Sequence, residues 1–334
     1  MRFFKSAIVA IAFILLSTAI VAQVKKVDAP GITVRDMNTA LKFYSEVLGF
    51  KKISDEELFG EPYEKLEGIF GLHTRVVRMQ LGDEQIELTD YLTSGGRSIP
   101  ADAKANDLSF QHIAIVVSSM EKAFAQLQKY TVEFVSTAPQ TLPKTIVGAE
   151  GIKAFYFHDP DNHNLELIYF PNGKGQPKWQ NNSGKIFLGI DHTAIGISNT
   201  EKSLAFYKEL LGIERKGESF NFGTEQEHLN NVEGASLHIT GLRSAAGPGI
   251  EFLQYLKPGA GSPYPADTRA DDTWYWQTIL IVDDAEALYN KLKEANYSFV
   301  SKALVYNNTS GKHDKSFIVK DPDGHAMLIR EIVQ

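Results

Sequence analysis

The sequence predicts an α+β fold of four βαβββ modules in two tandem halves. Three observations predict it: an internal repeat, a recurring strand-then-helix pattern, and turn signals at matching positions. The repeat is read first, because overlooking one misassigns the whole fold. TALKFYSEVLGF (39–50) matches KSLAFYKELLGI (202–213). PADAKANDLSFQHIAIVV (100–117) matches PADTRADDTWYWQTILIV (265–282) without a gap, and that register continues to FVS at 134–136 and 299–301. DPDNHNLELI (159–168) matches DPDGHAMLIR (321–330). The halves are therefore 28–172 and 189–334, joined by a linker at 173–188 whose run of Gly, Pro and Asn has linker chemistry.

Each half divides again. Every quarter opens on an alternating apolar strand: GITVRD, HIAIVVS, HTAIGIS and TILIVDD. A helix follows with apolar residues three and four apart; in the first quarter Ala40, Phe43, Tyr44, Val47 and Leu48 form the stripe. Gly49 and Gly212 stop the first and third helices. TRVVRMQLG, QIELTDYL, KAFYFHD and NLELIYF read as further strands. DPDN and DPDG are tight turns between the last two strands of the second and fourth quarters.

Composition sets bounds on function. The chain has 334 residues, 43% hydrophobic and 22% charged, enough for two cored domains. Its formal charge is −7, and no Lys/Arg run points to nucleic acid. Cysteine is absent, which excludes thiolate metal sites, cysteine nucleophiles and disulfides and leaves His, Asp, Glu, Gln or water to hold any metal. Arg2 and Lys5 followed by the uncharged stretch Ala7 to Ala22 read as a signal peptide over 1–22. The expectation is export to a periplasmic or secreted location, with Gln23 as the new N-terminus and no stable membrane insertion after cleavage.

The motifs FY..vLG, a first strand beginning near a His, and DPDG followed by an apolar strand carrying Glu resemble the vicinal-oxygen-chelate superfamily: glyoxalase I, the extradiol dioxygenases and the bleomycin-resistance proteins. All four quarters carry parts of the signature. The resemblance implies that modules pair to form cup-shaped half-barrels, with metal ligands on the first and last strand of each module. Carried onto this chain, the first module gives Ala29 and Glu87, the second His112 and Glu166, the third His192 and Glu251, and the fourth Gln277 and Leu328. Ala29 and Leu328 cannot ligate through their side chains. The metal set is thus His112, Glu166, His192 and Glu251, with Glu87 and Gln277 left for a degenerate second site. Those donors suit a divalent ion: Zn, Ni, Mn, Co or Fe(II). Chemistry agrees, because a mid-strand carboxylate between apolar residues is costly to bury without a partner.

The resemblance implies a metal-dependent, glyoxalase-like lyase or isomerase acting on a small molecule with vicinal oxygens, Glu166 or Glu251 moving a proton. An Fe(II) ring-cleaving dioxygenase and a non-catalytic binding protein are the alternatives. Export argues against a glutathione adduct as substrate, glutathione being cytosolic. Two pairings are open: modules one with two and three with four, or the exchanged pairing of two with three and one with four, which is favoured because it gathers all four ligands in one cup. His163 and His325 are expected at turns or rims, His228 and His238 near the cup, and FNFGTEQEHLNN (220–231) as a rim loop; Trp274, Tyr275 and Trp276 are read as packing. Oligomeric state and substrate stay open.

Overall fold

The computed structural model describes residues 23–180, 184–309 and 312–333. The signal segment expected at 1–22 lies outside the described residues. The first module comprises β1 (Val24–Val34), α1 (Met37–Lys42, continued by a π-helical turn, Phe43–Val47), β2 (Lys51–Phe59), α2 (Glu61–Glu67), β3 (His73–Leu81) and β4 (Glu84–Tyr91). The second has β5 (Gln111–Val117), α3 (Met120–Leu127), β6 (Gln140–Thr141), β7 (Lys153–His158) and β8 (Asn164–Tyr169). The third has β9 (Phe187–Gly196), α4 (Thr200–Leu204, continued by the π-helical turn Ala205–Leu210), β10 (Glu214–Phe222), α5 (Thr224–Asn230), β11 (Ser236–Arg243) and β12 (Gly249–Lys257). The fourth has β13 (Trp276–Val282), α6 (Ala285–Glu294), β14 (Val305–Thr309), β15 (Lys312–Lys320) and β16 (Ala326–Val333).

Local chemistry repeats with the modules. Asp36, Ser119, Asn199 and Asp284 cap the four crossover helices, each side chain accepting from the backbone N–H three residues on. Gly49 and Gly212 leave their helices at φ of 77° and 74°, a conformation that a Cβ disfavours. The structure adds α2 and α5 to the βαβββ pattern of the odd modules. Each starts after a glycine and ends on a left-handed residue, Gly68 or Asn231. The rim loop expected at 220–231 is therefore the end of β10 plus α5. Its Asn221, Gln226 and Asn230 are buried because they hydrogen-bond one another in a chain ending on the Tyr255 hydroxyl.

The pairing is the exchanged one. One eight-stranded sheet runs β14-β15-β16-β13-β1-β4-β3-β2 and joins modules four and one; the other runs β10-β11-β12-β9-β5-β8-β7-β6 and joins three and two. First strands meet antiparallel at each centre, and each lies parallel to the last strand of its own module. The curled sheets form two half-barrels, each drawing one module from each half of the chain.

Each half of the chain is cored on the other faces of these sheets. Ile32, Val34, Tyr44 and Leu48 of module one share a core with Ile113, Ile115, Phe155 and Leu167 of module two. Modules three and four share an equivalent core through Ile195, Phe206, Phe252, Leu280, Leu288 and Phe317. Polar locks reinforce both. Tyr44 donates to Asp159 at 3.0 Å, and Asp159 accepts from His163 Nδ1 at 2.8 Å. Tyr207, Asp321 and His325 repeat the arrangement at 3.0 and 3.1 Å. His163 and His325 are thus fully buried rather than at a rim, because the aspartate of each DPD turn draws the imidazole inward. Burial disfavours charge on His163, but Asp159 overcomes this and raises its pKa; Nε2 donates to the Thr273 carbonyl at 2.7 Å. Removing one member of such a buried pair costs about 3–5 kcal/mol.

Candidate metal centre

The register explains why carboxylates can sit mid-strand. Glu166 lies beside Ala114 and Glu251 beside Ala194, each two residues beyond a histidine of the neighbouring first strand. Side chains two apart on a strand share a face, so His112 and Glu166, like His192 and Glu251, point into one cup. The small alanines leave room for the carboxylates. Because β5 and β9 are antiparallel with His112 opposite Ala194 and Ala114 opposite His192, both pairs converge.

The convergence is close. His112 Nε2 lies 3.1 Å from Glu166 Oε2, and His192 Nε2 lies 3.6 Å from the same oxygen. One donor atom from each of His112, Glu166 and His192 falls within 4.8 Å of the others, and all three residues are buried. Glu251 Oε2 approaches His192 Nε2 at 3.5 Å, and its side chain keeps 26% exposure against 7% for Glu166. Glu166 thus sits at the floor of the cup and Glu251 toward its mouth.

Electrostatics suit a cation here. Burial pushes Glu166 up, but His112 and His192 overcome it and hold it at about 2. Burial also raises Glu251; His192 opposes the rise and Glu166 adds to it. Neither ring nitrogen of His112 and not Nε2 of His192 makes a hydrogen bond of acceptable angle, although both rings are buried. Two buried imidazoles with nitrogens turned on a shared carboxylate, yet unbonded, fit a divalent ion as the missing partner.

Asp191, which the sequence did not single out, orients His192. It accepts from His192 Nδ1 at 3.1 Å, Trp179 Nε1 at 2.7 Å and Arg243 Nη2 at 2.7 Å. Burial works against its charge, but His192 and Arg243 hold its pKa well below the usual carboxylate range. A carboxylate on the far nitrogen of a ligating imidazole fixes its tautomer. Trp179 comes from the linker, so the connection between halves reaches the site. Asp191→Asn is expected to weaken metal affinity about 10–100-fold, read by competition with a chromophoric chelator; unchanged affinity would remove this role.

The second cup departs from the first. Glu87 lies beside Gly31, and Gly31 opposite Gln277, so the register places Ala29 where a first-strand histidine belongs. Leu328 lies beside Ile279 and packs with it and Ala29 in an apolar cluster. Glu87 accepts from Arg78 Nε at 2.9 Å, while Gln277 donates to Glu67 at 3.3 Å. Among the described residues, only the first cup gathers three potential ligands. His238 stacks on Phe220 and meets Glu218 on the outer strands, and His228 is exposed, so neither reaches the metal residues. Trp274, Tyr275 and Trp276 are buried packing residues.

Known proteins resemble this chain in sequence and in fold. Over 92% of its length the chain is 28% identical to a Schizosaccharomyces pombe protein named lactoylglutathione lyase, 96% of which is covered. It is 23% identical to glyoxalase I of Saccharomyces cerevisiae, over 89% of this chain and 90% of that one. The crystal structure of glyoxalase I from Zea mays superposes with a TM-score of 0.60 at 16% identity, covering 93% of this chain and 92% of that one. A putative dioxygenase from Bacillus subtilis superposes with a TM-score of 0.56 at 13% identity, covering 92% and 86%. Both likenesses speak for the fold alone. The family model described as Glyoxalase/Bleomycin resistance protein/Dioxygenase superfamily matches residues 26–167 and 189–329, and the chain belongs to that superfamily.

Proposed function

We propose that the chain is a metal-dependent enzyme of glyoxalase-like lyase or isomerase type, moving a proton on a carbon beside a carbonyl in a small molecule with vicinal oxygens. The observation that carries this is the one complete cup: two histidines and a carboxylate at its floor, and a second carboxylate, Glu251, at its mouth. The names of the fungal relatives point the same way. His112, Glu166 and His192 would hold the ion, with Glu251 as a fourth donor within reach. A divalent ion supplies Lewis-acid polarisation of neighbouring oxygens, which makes the adjacent C–H acidic. Glu166 contributes a fixed negative charge, and Asp191 locks the His192 ring. Glu251, the more exposed carboxylate, takes the proton from one carbon and returns it to the next, so no net oxidation occurs.

One observation favours a second reading. The close cluster of His112, Glu166 and His192 is a two-histidine, one-carboxylate set of the kind that suits Fe(II) oxygenases. The test uses chelator-stripped protein reloaded separately with Zn, Ni, Co, Mn and Fe(II). It is offered hemithioacetals of 2-oxoaldehydes with glutathione and with other small thiols, and catechols in air. Formation of a 2-hydroxyacyl thioester without oxygen uptake is expected. Ring cleavage with stoichiometric oxygen uptake would replace the proposal by the dioxygenase reading, and turnover of neither with any metal would contradict both.

Export remains part of the proposal, and it favours a thiol other than glutathione. Mass spectrometry of the exported fraction is expected to give a chain starting at Gln23; Met1 retained in a membrane pellet would refute cleavage.

A further inference from the structure

The second cup has lost its metal ligands but keeps a built interior. A cavity of about 40 Å³ lies there, lined among others by Tyr63, Glu67, Glu87, Gln277, Leu328 and Arg330. That is room for about three waters, or for one charged head and a carbon or two. Leu58 and Leu72 add apolar wall.

The charges around this cavity do not balance. Arg78 pairs with Glu87 at 2.9 Å and with Asp28 at 2.6 Å, and Lys26 also meets Asp28 at 2.6 Å. Two cations and two carboxylates neutralise one another there. Arg330 faces Asp314 at 3.7 Å. Glu67 is left over. Its oxygens accept from the Gln277 amide and the Tyr91 hydroxyl, both neutral, each at 3.3 Å. Among the described residues no cation lies within ion-pairing distance of it. Burial, reinforced by Glu87, raises its pKa to about 7 despite those hydrogen bonds and the more distant Arg330.

One acceptor is also orphaned. Gln277 is 5% exposed, and its Oε1 has no hydrogen-bond partner. Its orientation is set by Nε2 donating to Glu67, so Oε1 is the free end. Leaving such an atom dry costs about 1–3 kcal/mol. The groups left unmet in this cup are Gln277 Oε1, the charge of Glu67, and one N–H on each of two guanidiniums whose charge is already paired, Arg78 Nη2 with Asp28 and Glu87 and Arg330 Nε with Asp314.

We propose that the second cup is a metal-independent binding site for a small organic monocation, a short primary ammonium, whose N–H groups donate to Gln277 Oε1 and to the carboxylates of Glu67 and Glu87. One positive charge balances Glu67, three donors match the acceptors, and the leucine wall takes a short alkyl tail. A hard divalent ion fits less well, because it takes six or more oxygens and Leu328 and Ala29 offer none. This site is independent of the reaction proposed for the first cup.

The test is calorimetric titration of the full, metal-loaded chain at pH 8 with methylammonium and ethylammonium chloride, against sodium chloride and ethanol. Saturable binding of one amine per chain is expected, weakened about tenfold or more by Glu67→Gln, the loss of a charged hydrogen bond. Gln277→Leu should weaken it too, and His112→Ala should leave it intact, since an amine bound in the first cup would be lost there. Should Glu67→Gln fail to fold, carbon NMR of Glu67 in the unmodified protein decides: its titration near pH 7 should move down when ethylammonium is added. No saturable heat, an equal response to sodium, unaltered binding in the folded Glu67→Gln variant, an unmoved Glu67 titration, or loss of binding in His112→Ala would each overturn the proposal.

Discussion

Glu251→Gln is expected to lower turnover about 10²–10⁴-fold, the scale for losing a general base, while the protein keeps bound metal. Glutamine preserves shape and one oxygen donor but cannot take a proton. Retention follows from position: Glu251 touches only His192 among the cluster, at 3.5 Å, and stands outside the close group of three. Glu166→Gln is the contrasting change. Glu166 lies between both imidazoles and carries the negative charge at the floor of the cup, so its loss should remove metal and activity together. The pair is read by kcat on whichever test substrate the enzyme turns over, alongside metal content. Full activity in Glu251→Gln would show that the base lies elsewhere.

His112→Ala and His192→Ala should each abolish tight metal binding in the whole chain. Each supplies one of three close ligands, and the loss should exceed the ~10–100-fold typical of an outer-shell partner. The two substitutions lie on different halves of the sequence. If each half held its own site, each would remove only half of the metal. Because β5 and β9 pair at the centre of one sheet, both histidines face one site, and either change should empty it.

Much of this arrangement was legible in the sequence. The repeat is visible because the same core must be built twice: strand alternation, helix stripe and DPD turn recur at matched spacing. The four site residues were placed by the family resemblance, and the charges of Glu166 and Glu251 inside apolar strands agreed with it, since a buried sheet tolerates such positions only with a partner. The small residue two beyond each histidine, Ala114 and Ala194, is a further signal, and its replacement by Ile279 beside Leu328 marks the altered cup. Other parts depend on long-range contacts that no local pattern records. Asp191 looks like an ordinary polar neighbour of His192 until Trp179 and Arg243 arrive from elsewhere. Asn221, Gln226 and Asn230 read as part of a rim loop because their hydrogen bonds to one another are invisible in sequence. The burial of His163 and His325 behind their turns is hidden for the same reason: Tyr44 and Tyr207, more than a hundred residues away, complete their networks.

The central claim is that exchange of modules between the halves gathers one complete ligand set in one cup and leaves the other without. Metal stoichiometry tests it most directly. Chelator-stripped protein is titrated with Zn or Ni, and bound metal per chain is measured by mass spectrometry under native conditions. The structure predicts one tightly bound ion per chain. Two equivalent ions per chain, or one ion that survives both His112→Ala and His192→Ala, would contradict it.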